Sequence, residues 1–261
     1  YSFLTNDMNK QINFKNIAAI VQARTGSTRL PNKIFKELCG KPILWHVVNR
    51  LSYSKQINQI IVATTNLMED DKVEEFCKSN KIPFYRGSSD DVLSRYYEAA
   101  KKFNVDLIVR ITSDCPVIDP QILDEMLKEF IKLYEIEKID YMSNTIIRTF
   151  PRGLDAEIFP FNVLEKTYYE AKQNYEREHV TPYIYQHPEI FKIKNFPYEK
   201  DYSFHRWTVD TIEDFQLIEK IYESLYKENE IFYFEDILKL FEDKPELINI
   251  NKEVKQKNLS E

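Results

Sequence analysis

This sequence predicts an α/β fold: a mostly parallel sheet with helices on both faces and a small α+β insertion. Three observations carry the prediction. Apolar runs that read as strands alternate with helical patterns across the first half of the chain. Those runs are apolar throughout rather than alternating, as in strands buried on both faces. The chain's 261 residues, 43% of them hydrophobic, suffice for one sizeable core.

The elements follow in order. Ile17–Gln22 (IAAIVQ) is the first strand, and 42–51 (PILWHVVNRL) has helical spacing with proline suited to its first turn. Residues 60–64 form the second strand and 70–79 the next helix. A short third strand at 83–85 precedes a helix over 91–103 (DVLSRYYEAAKKF), capped by 88–90. The fourth strand is 107–111, and Asp119–Pro120 opens a long helix that runs to 134. Beyond Asp140, short polar–apolar alternations (DAEIF, FKIKNF) flank a helical stretch over 163–186. They predict an insertion with antiparallel strands over about 140–205. The main sheet resumes at 207–209, backed by a helix over 213–226. Residues 1–14 read as a leader or flexible N-terminus, 15–245 as one domain and 246–261 as a polar, frayed tail.

Charge narrows the function. The net charge of −6 argues against general nucleic-acid or membrane-surface binding. Yet between Lys15 and Lys36 there are five Lys/Arg and no acid, a local patch suited to an anion. Cys39, Cys77 and Cys115 are odd in number and far apart, without a CxxC pair. That spacing excludes a disulfide framework or a zinc site, makes each a small buried hydrophobe, and fits a reducing cytoplasm. No apolar run reaches the roughly 20 residues that span a bilayer.

In an open α/β sheet, ligands sit beyond the carboxyl ends of the strands, and four stretches occupy such places. The loop after the first strand, Ala23 to Lys33, combines Thr25, Gly26, Ser27 and Thr28 with Arg24, Arg29 and Lys33. Backbone N–H groups and hydroxyls can wrap an anion that Arg and Lys neutralise; neither a P-loop nor a GxGxxG signature is present. In VRITSDCPVIDP, Asp114 follows a strand at the mouth of that loop and suits a hard, oxygen-seeking Mg²⁺, whereas Asp119 is a helix cap. In WTVDTIEDF, Thr211 and Asp214 form a capping box, which leaves Asp210 at the strand end, open between an ordinary strand-end acid and a second ligand to the ion of Asp114. In PRGLDAEIF, Asp155 and Glu157 share a face at a strand's period of two, after Arg152 and Gly153. Glu178 and His179 add polar groups from a neighbouring helix. His46 and His187 are structural.

The stretch VQARTGSTRLPNKIFKELCGKPIL resembles the signature of the cytidylyltransferases that activate acidic sugars with CTP, the 3-deoxy-manno-octulosonate and acylneuraminate enzymes. The likeness is greatest to the spore-coat polysaccharide biosynthesis protein F branch. RGSSDDVLSRYY, RITSDCPVID, PRGLDAEIF, REHVTPYIY and WTVDTIEDF follow in the same order, so the likeness extends over residues 17–240. It implies a Rossmann-like nucleotide-diphospho-sugar transferase fold and a magnesium-dependent reaction. By position, Ala23, Arg24, Gly26, Ser27 and Lys33 would hold the triphosphate, with Arg24 and Lys33 catalytic. Gly87 and Ser88 would contact base or ribose. Asp114 and Asp210 would coordinate Mg²⁺, and Arg152, Asp155, Glu157, Glu178 and His179 would lie near the acceptor. The longer set of basic residues that the sugar-acid enzymes direct at their acceptor has no counterpart here.

The expected reaction is attack by an acceptor oxygen on the α-phosphorus of a nucleoside triphosphate, CTP favoured, with pyrophosphate leaving. Positioning and charge neutralisation carry such a transfer, and no Ser–His–Asp or Cys–His arrangement stands in the sequence. The acceptor is a sugar, sugar acid or phosphorylated small molecule for surface polysaccharide, and 141–196 offers a dimer surface. Two other readings compete: a glycosyltransferase of similar fold, and a non-catalytic nucleotide-binding module. The first usually carries Asp-x-Asp where this chain has the single acid of Thr-Ser-Asp-Cys-Pro. The second calls for loss of a loop charge or a carboxylate, and neither is lost.

Overall fold

β1 (Ile17–Gln22) sits in the middle of the sheet and alternates between two cores. Ile17, Ala19 and Val21 pack to one face, Ala18 and Ile20 to the other. A strand apolar on both sides is stable only in that position. The structure, a computed structural model, describes residues 14–256; most of the expected leader and the last residues of the expected tail lie outside the described range. A small hairpin of β2 (Glu37–Leu38) and β3 (Lys41–Pro42) leads into α1 (Ile43–Leu51). Then come β4 (Gln59–Thr65), α2 (Asp71–Ser79), β5 (Phe84–Gly87), α3 (Val92–Lys102), β6 (Leu107–Thr112) and α4 (Pro120–Glu137). The second half supplies β7 (Tyr141–Ser143), β8 (Glu157–Pro160), α5 (Phe161–Glu170), α6 (Asn174–His179), α7 (Pro182–Tyr185), β9 (Ile193–Asn195), α8 (Ile212–Leu225) and α9 (Phe234–Asp243).

Seven strands form one mixed sheet in the order β5-β4-β1-β6-β8-β7-β9. β5, β4, β1 and β6 run parallel, β8 pairs antiparallel with both β6 and β7, and β9 returns parallel to β7. Helices α1, α2, α4, α8 and α9 contribute to one core and α3, α5 and α7 to the other. The α/β class and the mostly parallel sheet are thus as the sequence indicates. Among the described residues no helix is long and apolar enough to cross a membrane.

Several local expectations change. The segment read as an insertion is continuous with the main sheet, because β8 pairs directly with the edge of β6. Residues 207–209 are not a strand. Trp207 N–H donates to Arg152 O and Val209 N–H to Asp114 O, and two different partners do not make a ladder. The cap of α3 is Asp91, whose carboxylate accepts from Ser94 N–H at 2.9 Å, rather than 88–90. Asp119 caps α4 as expected and also accepts from Phe234 N–H at 2.6 Å, tying α9 to it. The tail is docked up to residue 256. Leu247 is buried, and buried Asn251 donates to Arg206 O at 2.9 Å and to Asp214 at 2.8 Å. Cys77 and Cys115 are buried, but Cys39 is exposed, because it sits in the β2–β3 turn with φ 49°. His46 is structural, its Nε2 2.7 Å from Leu38 O and burial lowering its pKa to about 4.

Candidate active site

The loop after β1 is anchored at Thr25. Its N–H and hydroxyl donate to Asp70 Oδ1 at 2.7 and 2.8 Å, and Asp70 also accepts from the Thr65 hydroxyl at the end of β4. Ser27 N–H and Asn32 N–H both return to Thr25 O, so the chain coils tightly before Lys33. Ala23, Arg24, Gly26, Ser27, Thr28, Arg29 and Lys33 all line a cavity of about 690 Å³ at the carboxyl ends of the parallel strands.

On its far wall stand Asp114 and Asp210, which belong to parts of the chain 96 residues apart (210 − 114). Val209 N–H and the Thr208 hydroxyl donate to Asp114 O at 2.9 and 3.1 Å, and these bonds hold the two segments together. Lys33 Nζ lies between the carboxylates, 3.0 Å from Asp114 Oδ2 and 2.8 Å from Asp210 Oδ1. The other Asp210 oxygen receives Arg29 at 3.0 Å and Arg206 at 2.8 Å. Arg206 is itself clamped by buried Asp214, Nε to Oδ1 at 2.9 Å and Nη2 to Oδ2 at 3.0 Å. The capping acid of α8 therefore also aims the arginine that orients Asp210. Burial pushes the Asp114 carboxyl upward, but the Lys33 ammonium and the Thr112 hydroxyl outweigh it and hold the pKa at about 2. Burial pulls Lys33 down, and the two carboxylates more than reverse that. Carboxylate oxygens converging on one cation are also the donor set a hard divalent ion takes; Mg²⁺ needs only one or two protein carboxylates when phosphate and water complete its shell.

Of the residues expected near the acceptor, Glu178 and His179 on α6 line this cavity. Arg152, Asp155 and Glu157 do not. Arg152 lines a separate cavity of about 140 Å³ beside His205 and Arg206. Asp155 precedes β8 and is gripped by Arg148 through two bonds of 2.6 and 2.7 Å, so it does not continue the face of Glu157. Glu157 is buried and accepts from Arg110, from Tyr141 Oη at 2.5 Å and from Thr181 Oγ1 at 2.6 Å. Replacing Glu157 with Ala strands these three donors, one of them an arginine. We expect it to lower the unfolding free energy by roughly 3–5 kcal/mol, read by urea denaturation.

Gly87 and Ser88 also lie off the cavity wall. The Gly87 carbonyl accepts from Asn66 N–H, and the Ser88 hydroxyl accepts from Asp91 N–H at 3.1 Å. The structure instead adds Gln22, Arg95 and Gln256 to the wall, and Arg206 behind Asp210. Arg95 left a signal in the sequence: an arginine among the apolar positions of an amphipathic helix. Gln256 and Arg206 left none.

A sequence model of the cytidylyltransferase family matches residues 18–254. An uncharacterised protein of Methanocaldococcus jannaschii is 39% identical over 94% of this chain and 98% of its own length. The spore coat polysaccharide biosynthesis protein SpsF of Bacillus subtilis is 31% identical over 80% of this chain and 87% of its own length. Among solved structures, a cytidylyltransferase from Leptospira borgpetersenii is 38% identical, with a TM-score of 0.84 over 93% of this chain and 99% of that one. The matched range takes in the basic loop, both carboxylates and strands β7, β8 and β9 alike, and this chain belongs to the cytidylyltransferase family.

Proposed function

We propose that this protein transfers a cytidylyl group from CTP, with Mg²⁺, to an oxygen of a sugar, sugar acid or phosphorylated small molecule used in surface polysaccharide. The observation that carries the reading is the Lys33 ammonium between Asp114 and Asp210 on the wall of a cavity rich in arginine. The spore-coat relative supports the polysaccharide context. A nucleotide-using enzyme with unpaired cysteines fits the cytoplasm.

In this reading Asp114 and Asp210 would hold Mg²⁺, which would supply positive charge at the phosphates. Arg24 forks onto phosphate oxygens, and Lys33 supplies a point charge against the negative charge that develops on the departing pyrophosphate. Backbone N–H groups around Ala23, Gly26 and Ser27 orient the triphosphate. Arg29, already paired with Asp210, orders the loop rather than reacting. Glu178 and His179 face the acceptor. The acceptor oxygen attacks the α-phosphorus directly, the bond to the β-phosphate oxygen breaks, and no enzyme-bound covalent intermediate forms.

The test is pyrophosphate release from CTP and Mg²⁺ across a panel of acceptors, with nucleotide sugars as the control donor. CTP-dependent release that EDTA abolishes, and that Asp114→Ala lowers at least about a hundredfold, is the expected result. Turnover of a nucleotide sugar without CTP, or full activity in Asp114→Ala, would overturn it.

A further inference from the structure

Helix α3 turns an arginine toward the core. Arg95 is 2% exposed, between buried Leu93 and Tyr96. Its Nε and Nη1 are closed off from solvent and find no hydrogen-bond partner among the described residues. Two other arginines set in the interior are held by the fold, although half-buried Arg110 also leaves its Nε without a partner among the described residues. Arg50 donates to Ile118 O and Phe232 O at 2.7 Å each, and Arg110 to Glu157 and Gln22. Around Arg95, burial pulls the pKa down and the nearby Arg24 adds to that. A buried guanidinium left unpaired is costly, yet the chain makes room for it. A Cβ on Gly87 would come within 3.3 Å of Arg95 Cγ. Arg95 also lines the 690 Å³ cavity, so a ligand rich in acceptors would relieve the cost.

The sheet order locates that ligand's parts. β6, with Asp114 beyond it, lies on one side of β1; β4 and β5 lie on the other, and α3 packs against them. Lys33, Asp114 and Asp210 mark the phosphate end, which leaves Arg95 at the opposite end, where the base belongs. Cytosine offers a guanidinium two adjacent acceptors, O2 and N3. Uracil offers O2 beside an N3–H donor. We infer that Arg95 reads the pyrimidine ring, donating to cytosine O2 and N3, and thereby selects CTP over UTP. The inference rests on the cytidylyl-transfer reading above.

The experiment titrates CTP, UTP and inorganic tripolyphosphate, each with Mg²⁺, into wild type, Arg95→Lys and Arg95→Met. Wild type should prefer CTP by at least about tenfold, in line with a bidentate base contact. Both variants should lose that preference to within about twofold while tripolyphosphate affinity holds within about twofold. Ligand-free Arg95→Met should melt no lower than wild type, because an unpaired buried charge is removed. Equal loss for all three ligands would make Arg95 a phosphate ligand and overturn the inference. So would a retained CTP preference in the variants, a wild type indifferent between CTP and UTP, or a lower melting temperature in both ligand-free variants. A wild type that binds no nucleoside triphosphate would sink the cytidylyl-transfer reading and this inference with it. Binding of CTP by wild type with an unchanged preference in the variants sinks only the inference.

Discussion

Lys33→Ala is expected to lower kcat/KM for CTP-dependent pyrophosphate release by roughly a hundred- to a thousandfold. The size follows from where the ammonium sits. Lys33 is a cation in contact with both carboxylates, and it lies on the wall of the cavity proposed to take the triphosphate. Its loss affects the two acids unequally. Asp210 keeps Arg29 and Arg206, whereas Asp114 keeps no cation, only the Thr112 hydroxyl and the weak Cys115 thiol donor at 3.6 Å among the described residues. Lys33→Arg should not rescue, because a planar fork does not replace a compact ammonium between two convergent oxygens.

Stability should follow pH with a definite sign. Asp114 is depressed to about 2 from an ordinary 3.8, so its contribution is present above about pH 4 and disappears as pH falls through 2. Lys33 is raised above its ordinary 10.5, so its contribution is present below that value and is lost as pH climbs past it. The stability difference between wild type and Lys33→Ala should therefore be largest between these limits and collapse near pH 2, followed by urea denaturation across pH. A flat difference down to pH 2, or full turnover in the variant, would remove Lys33 from its assigned place.

Gly153→Ala should be the most damaging small substitution in the chain for fold and site together. Gly153 has φ +109°, a conformation L side chains rarely adopt. A Cβ there would meet the Trp207 carbonyl carbon and oxygen at 2.5 Å and Thr208 N at 2.7 Å. Those are backbone atoms, and they cannot rotate aside. The contacted segment is pinned by Trp207 N–H to Arg152 O at 2.6 Å and leads directly into Asp210. Backbone strain and overpacking together should cost about 2–5 kcal/mol of unfolding free energy. Moving 207–208 outward should also draw Asp210 from Lys33, and a displacement on the order of 1 Å costs about a hundredfold in rate. Thermal melting and pyrophosphate release on the same sample read both effects. A variant that melts and turns over like wild type would show that this contact is not what sets Asp210.

How much of this was legible in the sequence can be judged residue by residue. Arg24 and Lys33 stood out because charge without acids, directly after an apolar strand, has a local explanation only as an anion site. Asp114 stood out because it follows a strand. Glu157 misled, because its period-two relation to Asp155 describes a strand that begins only at Glu157 itself. Nothing in that period says that Arg110, Tyr141 and Thr181 converge on it from three other elements. Arg206 was invisible for the same reason: its neighbours Asp210 and Asp214 were read as strand end and helix cap.

The sequence by itself determined the α/β class, the basic loop, the two acids and the helix caps at Asp119 and Thr211. Each of these rests on periodicity, strand-end position or backbone hydrogen bonding within a few residues. Only the tertiary structure decided that Lys33 bridges Asp114 and Asp210, that Glu157 is part of a buried network, that the tail docks as far as residue 256, and that Arg95 Nε and Nη1 have no partner among the described residues. Such facts depend on which long-range segments meet. Burial and pairing, which govern the energy of a charge, are properties of that meeting and not of any local stretch of chain.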